Sequence, residues 1–99
     1  MNTLTKNSAI DLDSVVTATN DQISAHLDDE VVILGYQSGA YYGLDEVGLF
    51  IWDLLQEPQK VSNICQAVLQ EYDVQPADCE RDVLTFLADL KSKQLVAVT

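Results

Sequence analysis

The hydrophobic positions of this chain change period at Asp45. Before it, Ile23, Ala25 and Leu27 alternate with Ser24 and His26, the period of two expected of a half-buried strand. Asp28-Asp29 supplies turn chemistry, and Glu30 to Tyr36, rich in β-branched residues, predicts a central strand. Gln37-Ser38-Gly39 is a short connection in which Gly39 can take positive φ. Ala40 to Leu44 predicts a third strand, with Tyr41 and Tyr42 on opposite faces. Gly43 there marks either a close backbone approach or the end of the strand before the next element. Val15 to Thr19 adds a short strand or merely leads in.

From Asp45 the period becomes helical. Asp45 is a good N-cap and Glu46 favours the positive helix start. Val47, Phe50, Ile51, Leu54 and Leu55 form one face, with Trp52 on its flank, and Glu57-Pro58 ends the helix. Ser62 to about Tyr72 predicts a second helix, with Ile64, Cys65, Val68, Leu69 and Tyr72 as its stripe. Pro76 suits the first turn of a third, whose stripe is Cys79, Val83, Phe86, Leu87 and Leu90. Lys91 and Lys93 lie near its C-terminus, where positive charge is favourable. Leu95 to Val98 predicts a short final strand or cap. Residues 1–14 are patternless and read as a flexible tail, leaving 15–99 as one domain. A small sheet cannot bury its face alone, so the helices must pack on it. The expected class is α+β: a winged helix-turn-helix-like domain, with a three-stranded antiparallel sheet followed by three helices.

Charge narrows the partners. Five Lys plus Arg against sixteen Asp plus Glu give a net charge of −11. Such a chain repels phosphate backbones and anionic lipid. A winged-helix DNA-binding regulator is the alternative the fold raises, but the second predicted helix carries no basic residue, and in the third Arg81, Lys91 and Lys93 face Asp78, Glu80, Asp82 and Asp89. Nucleic acid is not expected as a partner. Neither is a membrane, since no segment approaches a span or a signal peptide, and the chain reads as cytoplasmic.

Catalytic chemistry is hard to find. Cys65 and Cys79 fall on apolar helical faces and read as buried free thiols. His26, the only histidine, falls in the polar phase of its strand, so neither a Cys–His pair nor a zinc site is expected. The glycines Gly35, Gly39, Gly43 and Gly48 fit turn, strand and helix positions, not a phosphate loop. No enzymatic activity, cofactor or metal is expected. What the stretch from Glu30 to Leu55 offers instead is a backbone edge beside an apolar helix, the means by which proteins grip extended peptides.

The run from Val31 to Val96 resembles the PqqD-like family, also called the RiPP recognition element. The resemblance lies in the hairpin around Gln37-Ser38-Gly39, Tyr41-Tyr42-Gly43-Leu44-Asp45-Glu46-Val47-Gly48, and the helix end Ile51-Trp52-Asp53-Leu54-Leu55. The spaced second helix and Asp82-Val83-Leu84-Thr85-Phe86-Leu87-Ala88-Asp89-Leu90 complete it. Two positions depart: Lys60 stands where many relatives cap the second helix with Ser or Thr, and no Gly stands near Gln94. The short strands are closer to stand-alone members of lasso-peptide and related pathways than to the pyrroloquinoline-quinone subgroup.

The resemblance implies a peptide chaperone of ribosomally made, modified peptides. The leader segment of a precursor peptide would add as a strand to the third predicted strand and lie against the third helix. On that reading the backbone of Ala40, Tyr41, Tyr42, Gly43 and Leu44 pairs with the leader. Tyr42, Leu44, Val83, Phe86 and Leu90 offer apolar pockets, and Asp82 and Asp89 meet basic leader residues at the rim. A leader peptidase or modifying enzyme would receive the bound leader. A structural partner subunit that binds no peptide is the other alternative.

Overall fold

The computed structural model describes residues 9–20, 22–28 and 30–99. The tail expected over Met1 to Ser8, and Asp29 of the expected turn, lie outside the described residues.

Among the described residues, six strands and three helices follow in the order β1 (Val15–Ala18), β2 (Gln22–Leu27), β3 (Glu30–Gly35), β4 (Tyr41–Leu44), α1 (Glu46–Leu54), β5 (Gln59–Lys60), α2 (Val61–Glu71), α3 (Pro76–Ser92) and β6 (Val96–Val98). They build two antiparallel three-stranded sheets, β5-β1-β6 and β2-β3-β4. The class is α+β, and the β2-β3-β4 sheet with its three helices is the winged-helix-like arrangement expected. The β5-β1-β6 sheet is an addition to that expectation. In it the lead-in strand β1 is central, pairing on one side with the final strand β6 and on the other with a two-residue strand at the foot of α2.

The core runs between the helices and one face of each sheet. Val16, Ile33, Leu55, Val61, Ile64, Leu87, Leu90 and Leu95 are fully buried within it. Sequence signals fix the helix ends. Asp45 Oδ1 accepts from the Gly48 N–H at 2.7 Å, the N-cap read from sequence. Pro76 sits in the first turn of α3, where no N–H is needed.

Both departures from the family pattern have structural accounts. Lys60 is the N-cap of α2 but makes no side-chain cap. The first N–H groups of α2 are taken up by the N-terminal segment instead: Val61 donates to the Ser14 carbonyl at 2.9 Å and Ser62 to the Leu12 carbonyl at 3.0 Å. An Asp11 turn holds that segment in place, with Asp13 N–H donating to Asp11 Oδ1. Ile10 and Leu12 pack against the core, so residues 9–14, expected as part of a tail, are docked. At the other position, Gln94 has φ of +63°. It follows the C-cap of α3, where Gln94 N–H donates to the Lys91 carbonyl and Leu95 N–H to the Leu90 carbonyl. That pair of bonds is the left-handed helix stop that favours glycine.

The wing departs from expectation at β2. Its alternating Ile23, Ala25 and Leu27 were to be the buried phase, yet all three are exposed. Register explains why. Ile23 pairs with Leu34 and Ala25 with Val32, while the core-facing residues of β3 are Val31 and Ile33. Paired positions share a face, so the apolar phase of β2 points away from the helices.

Candidate functional site

Among the described residues β4 lies at the edge of its sheet, with β3 on one side and no strand on the other. Its hydrogen-bonding phase follows from the hairpin. Gly35 N–H donates to the Ala40 carbonyl at 2.9 Å across the connection, where Gly39 takes φ of +68°. In an antiparallel ladder bonded and non-bonded pairs alternate. The Ile33–Tyr42 and Val31–Leu44 pairs are therefore bonded, whereas Leu34–Tyr41 and Val32–Gly43 are not. It follows that the N–H and C=O groups of Tyr41 and Gly43 point to the open edge, and those of Tyr42 point to β3.

The inner side of this edge meets α3. The Tyr42 ring packs edge-on against Phe86, with centroids 5.8 Å apart and planes at 70°. Lys93 Nζ lies 5.7 Å from the centre of the Tyr42 ring and 3.6 Å from Asp89. Burial, and then a hydrogen bond to Asp89, raise the Tyr42 phenol above its ordinary pKa.

Beyond the C-terminal end of β4 a cleft of about 320 Å³ opens among the helices. Val47, Gly48 and Ile51 of α1, Val68 of α2 and Val83 and Phe86 of α3 supply its apolar lining, and Asp45 and Asp82 its acidic groups. Gly48 keeps this region close-packed. A Cβ there would come within 3.3 Å of the Leu44 side chain and 3.5 Å of the Phe86 ring. Phe86 touches both Tyr42 and the cleft, so edge and cleft form one continuous surface.

The residues read from sequence divide on this geometry. Tyr41 and Gly43 supply the edge, Tyr42, Phe86 and Asp89 the groove beside it, and Asp82 and Val83 the cleft. Ala40 closes the hairpin just before β4. Two expectations need correction. Leu44 and Leu90 were to line pockets for a peptide, but both lie within the core and neither lines the cleft, whereas Val83, itself a buried core residue, forms part of the cleft wall. Leu44 lies on the inward face of β4, and Leu90 on the part of α3 that packs under Leu95. Sequence reading missed Lys93 in the groove, and Val47, Ile51, Val68, Val74 and Cys79 in the cleft. Except for Val74 and Lys93, these had been assigned to core stripes. Helical period identifies an apolar face without telling wall from core.

The thiols are poorly suited to covalent chemistry. Burial, with the neighbouring Cys79 second, pushes Cys65 up to about 11, and burial likewise raises Cys79. Protonated thiols of this kind are weak nucleophiles. His26 lies apart from them on exposed β2. Among the described residues no group of three or more His, Cys, Asp or Glu side chains is placed to hold a metal ion. No described helix is long and apolar enough to cross a membrane.

Comparison with known proteins places this geometry. A solved structure, TbiB1 in complex with the TbiA(beta) leader peptide, is 44% identical and superposes with a TM-score of 0.72, over 81% of this chain and 93% of that one. A second, lasso peptide synthetase B1 complexed with the leader peptide, shares the fold at a TM-score of 0.71 and 24% identity, over 83% of this chain and 96% of that one. The search of curated proteins gave no match. Residues 30–96 match the sequence profile of the family described as coenzyme PQQ synthesis protein D (PqqD), and the chain belongs to that family.

Proposed function

We propose that this protein binds the leader segment of a ribosomally made precursor peptide and delivers it to a leader peptidase or modifying enzyme. The leader adds to β4 as a fourth strand of the wing, pairing with the outward N–H and C=O groups of Tyr41 and Gly43. Backbone pairing gives affinity with little sequence reading. Side chains on the inward phase of the leader lie along Tyr42, Phe86 and Asp89, and one enters the cleft walled by Val83. Lys93 is occupied by Asp89 and the Tyr42 ring, Asp45 caps α1, and Asp82, exposed and 3.4 Å from Arg81, is the rim carboxylate that a basic leader residue would meet by competing with that surface pair. The observation that carries this reading is the unpaired β4 edge beside α3, in a chain 44% identical to a protein solved with a leader peptide. A DNA-binding role finds no support in a net charge of −11.

Titration of a fluorescently labelled leader from the protein's own precursor tests it. The unmodified chain should bind, and Tyr41→Pro should weaken binding by about 1–3 kcal/mol while leaving the melting temperature nearly unchanged. Absence of leader binding, or unaltered affinity in both Tyr41→Pro and Gly43→Pro with folding intact, would overturn strand addition at β4.

A further inference from the structure

The wing has a second surface that leader binding leaves unused. Ile23 and Leu27 of β2, Val32 and Leu34 of β3 and Tyr41 of β4 all lie on its outer face, by the register of the two ladders. Leu27 is 57% exposed, Ile23 42%, Leu34 41% and Tyr41 69%. Nothing packs near Gly43 either: a Cβ built there meets no atom within 4 Å. A contiguous apolar face of this kind, on a sheet whose β2 edge pairs with no further strand among the described residues, is what a monomer avoids unless a partner covers it.

We propose that this outer face docks the enzyme that acts on the delivered leader, through an apolar patch edged with Lys or Arg on that enzyme. The inference rests on the leader-binding reading for the identity of the partner. Charge selects the kind of partner. No Lys or Arg occurs between Lys6 and Lys60, so the wing carries neither, and Glu30 lies directly across from Leu27 on the patch. A second copy of a chain with a net charge of −11 would bring like charges together, and an anionic lipid surface would be repelled in the same way. A basic-edged protein surface meets no such penalty. The patch is also continuous with the leader site. A strand added beside β4 lays every second side chain next to Tyr41 on this same face. The loaded protein therefore presents a wider apolar surface than the empty one, and docking favours the loaded form.

The test uses the full chain, its labelled leader and the purified processing enzyme of the same pathway, with an Ile23→Ser/Leu34→Ser double variant and a Glu30→Lys variant. The double variant should lose at least tenfold in affinity for the enzyme and keep leader affinity within twofold. Glu30→Lys should slow association several-fold, an effect that added salt removes. Unchanged enzyme affinity in the double variant would overturn the proposal. So would sedimentation of the unmodified chain as a dimer that the double variant dissociates, because the face would then belong to a second copy. Loss of enzyme binding in the double variant, in a protein that binds no leader at all, would support the docking face and defeat the leader reading alone.

Discussion

The β5-β1-β6 sheet joins three segments far apart in sequence, and the β2-β3-β4 sheet joins three that are adjacent. Each has three antiparallel strands. The first is short and lies against Leu55, Val61 and Leu95, with Val16 and Val96 buried in it. The second leaves Ile23, Leu27, Leu34 and Tyr41 of its outer face exposed. The difference shows how one small domain separates holding itself together from holding something else. Residues of the first sheet contribute stability; the outer residues of the wing contribute surface and unpaired backbone.

The sharpest way to break this contrast is to truncate one leucine on each side. Leu95→Ala should cost about 2–5 kcal/mol in chemical denaturation, the range for a fully buried leucine. Leu34→Ala should cost less than about 0.5 kcal/mol, as exposed positions do. Equal costs would mean that the outer face is covered within the protein itself.

Within the wing, proline can separate the two backbone phases of β4. Tyr42→Pro removes a donor that pairs with Ile33 and should destabilise the fold by about 1–3 kcal/mol. Tyr41→Pro removes a donor aimed at the open edge and should leave thermal unfolding nearly unchanged. A reversed order would mean the ladder phase is opposite, and the leader would then pair through Tyr42.

The smallest effect concerns the turn that leads into β6. Gln94→Gly relieves a left-handed backbone that costs an ordinary residue about 1–2 kcal/mol, offset by the larger chain entropy that glycine loses on folding. A net gain of about 0.5–1 kcal/mol should appear as a raised melting temperature. No gain would mean that the entropy glycine loses on folding equals the strain relieved, since the Thr19 hydroxyl bond at 3.2 Å goes to the backbone carbonyl of residue 94 and survives the substitution.

Much of this was legible from residues alone. Asp45, Pro76 and the apolar stripes placed all three helices, and the hairpin signal at Gly39 placed β3 and β4. The β5-β1-β6 sheet was not, because strands of two to four residues carry too short a pattern and their partners are remote. For β2, alternation separated two faces but neither is buried: register puts Ile23, Ala25 and Leu27 on the outer side, and Ser24 and His26, on the side of Val31 and Ile33, are exposed as well. The edge of the site was legible for the same reason the hairpin was. The cleft was not, since it needs three helices at once, and Val47, Ile51 and Val68 look the same in sequence whether they wall a cleft or fill a core.

The pairing of Val16 with Val98 also sets an order of events during synthesis. The strands of the wing follow one another in the chain and each pairs only with its neighbours in sequence, so all three emerge before α2, α3 and β6. β1 emerges earlier still but stays without its longer partner until β6 has emerged. The apolar outer face and the open β4 edge are therefore present while the domain is unfinished, and the nascent chain is exposed to non-native strand pairing in that interval.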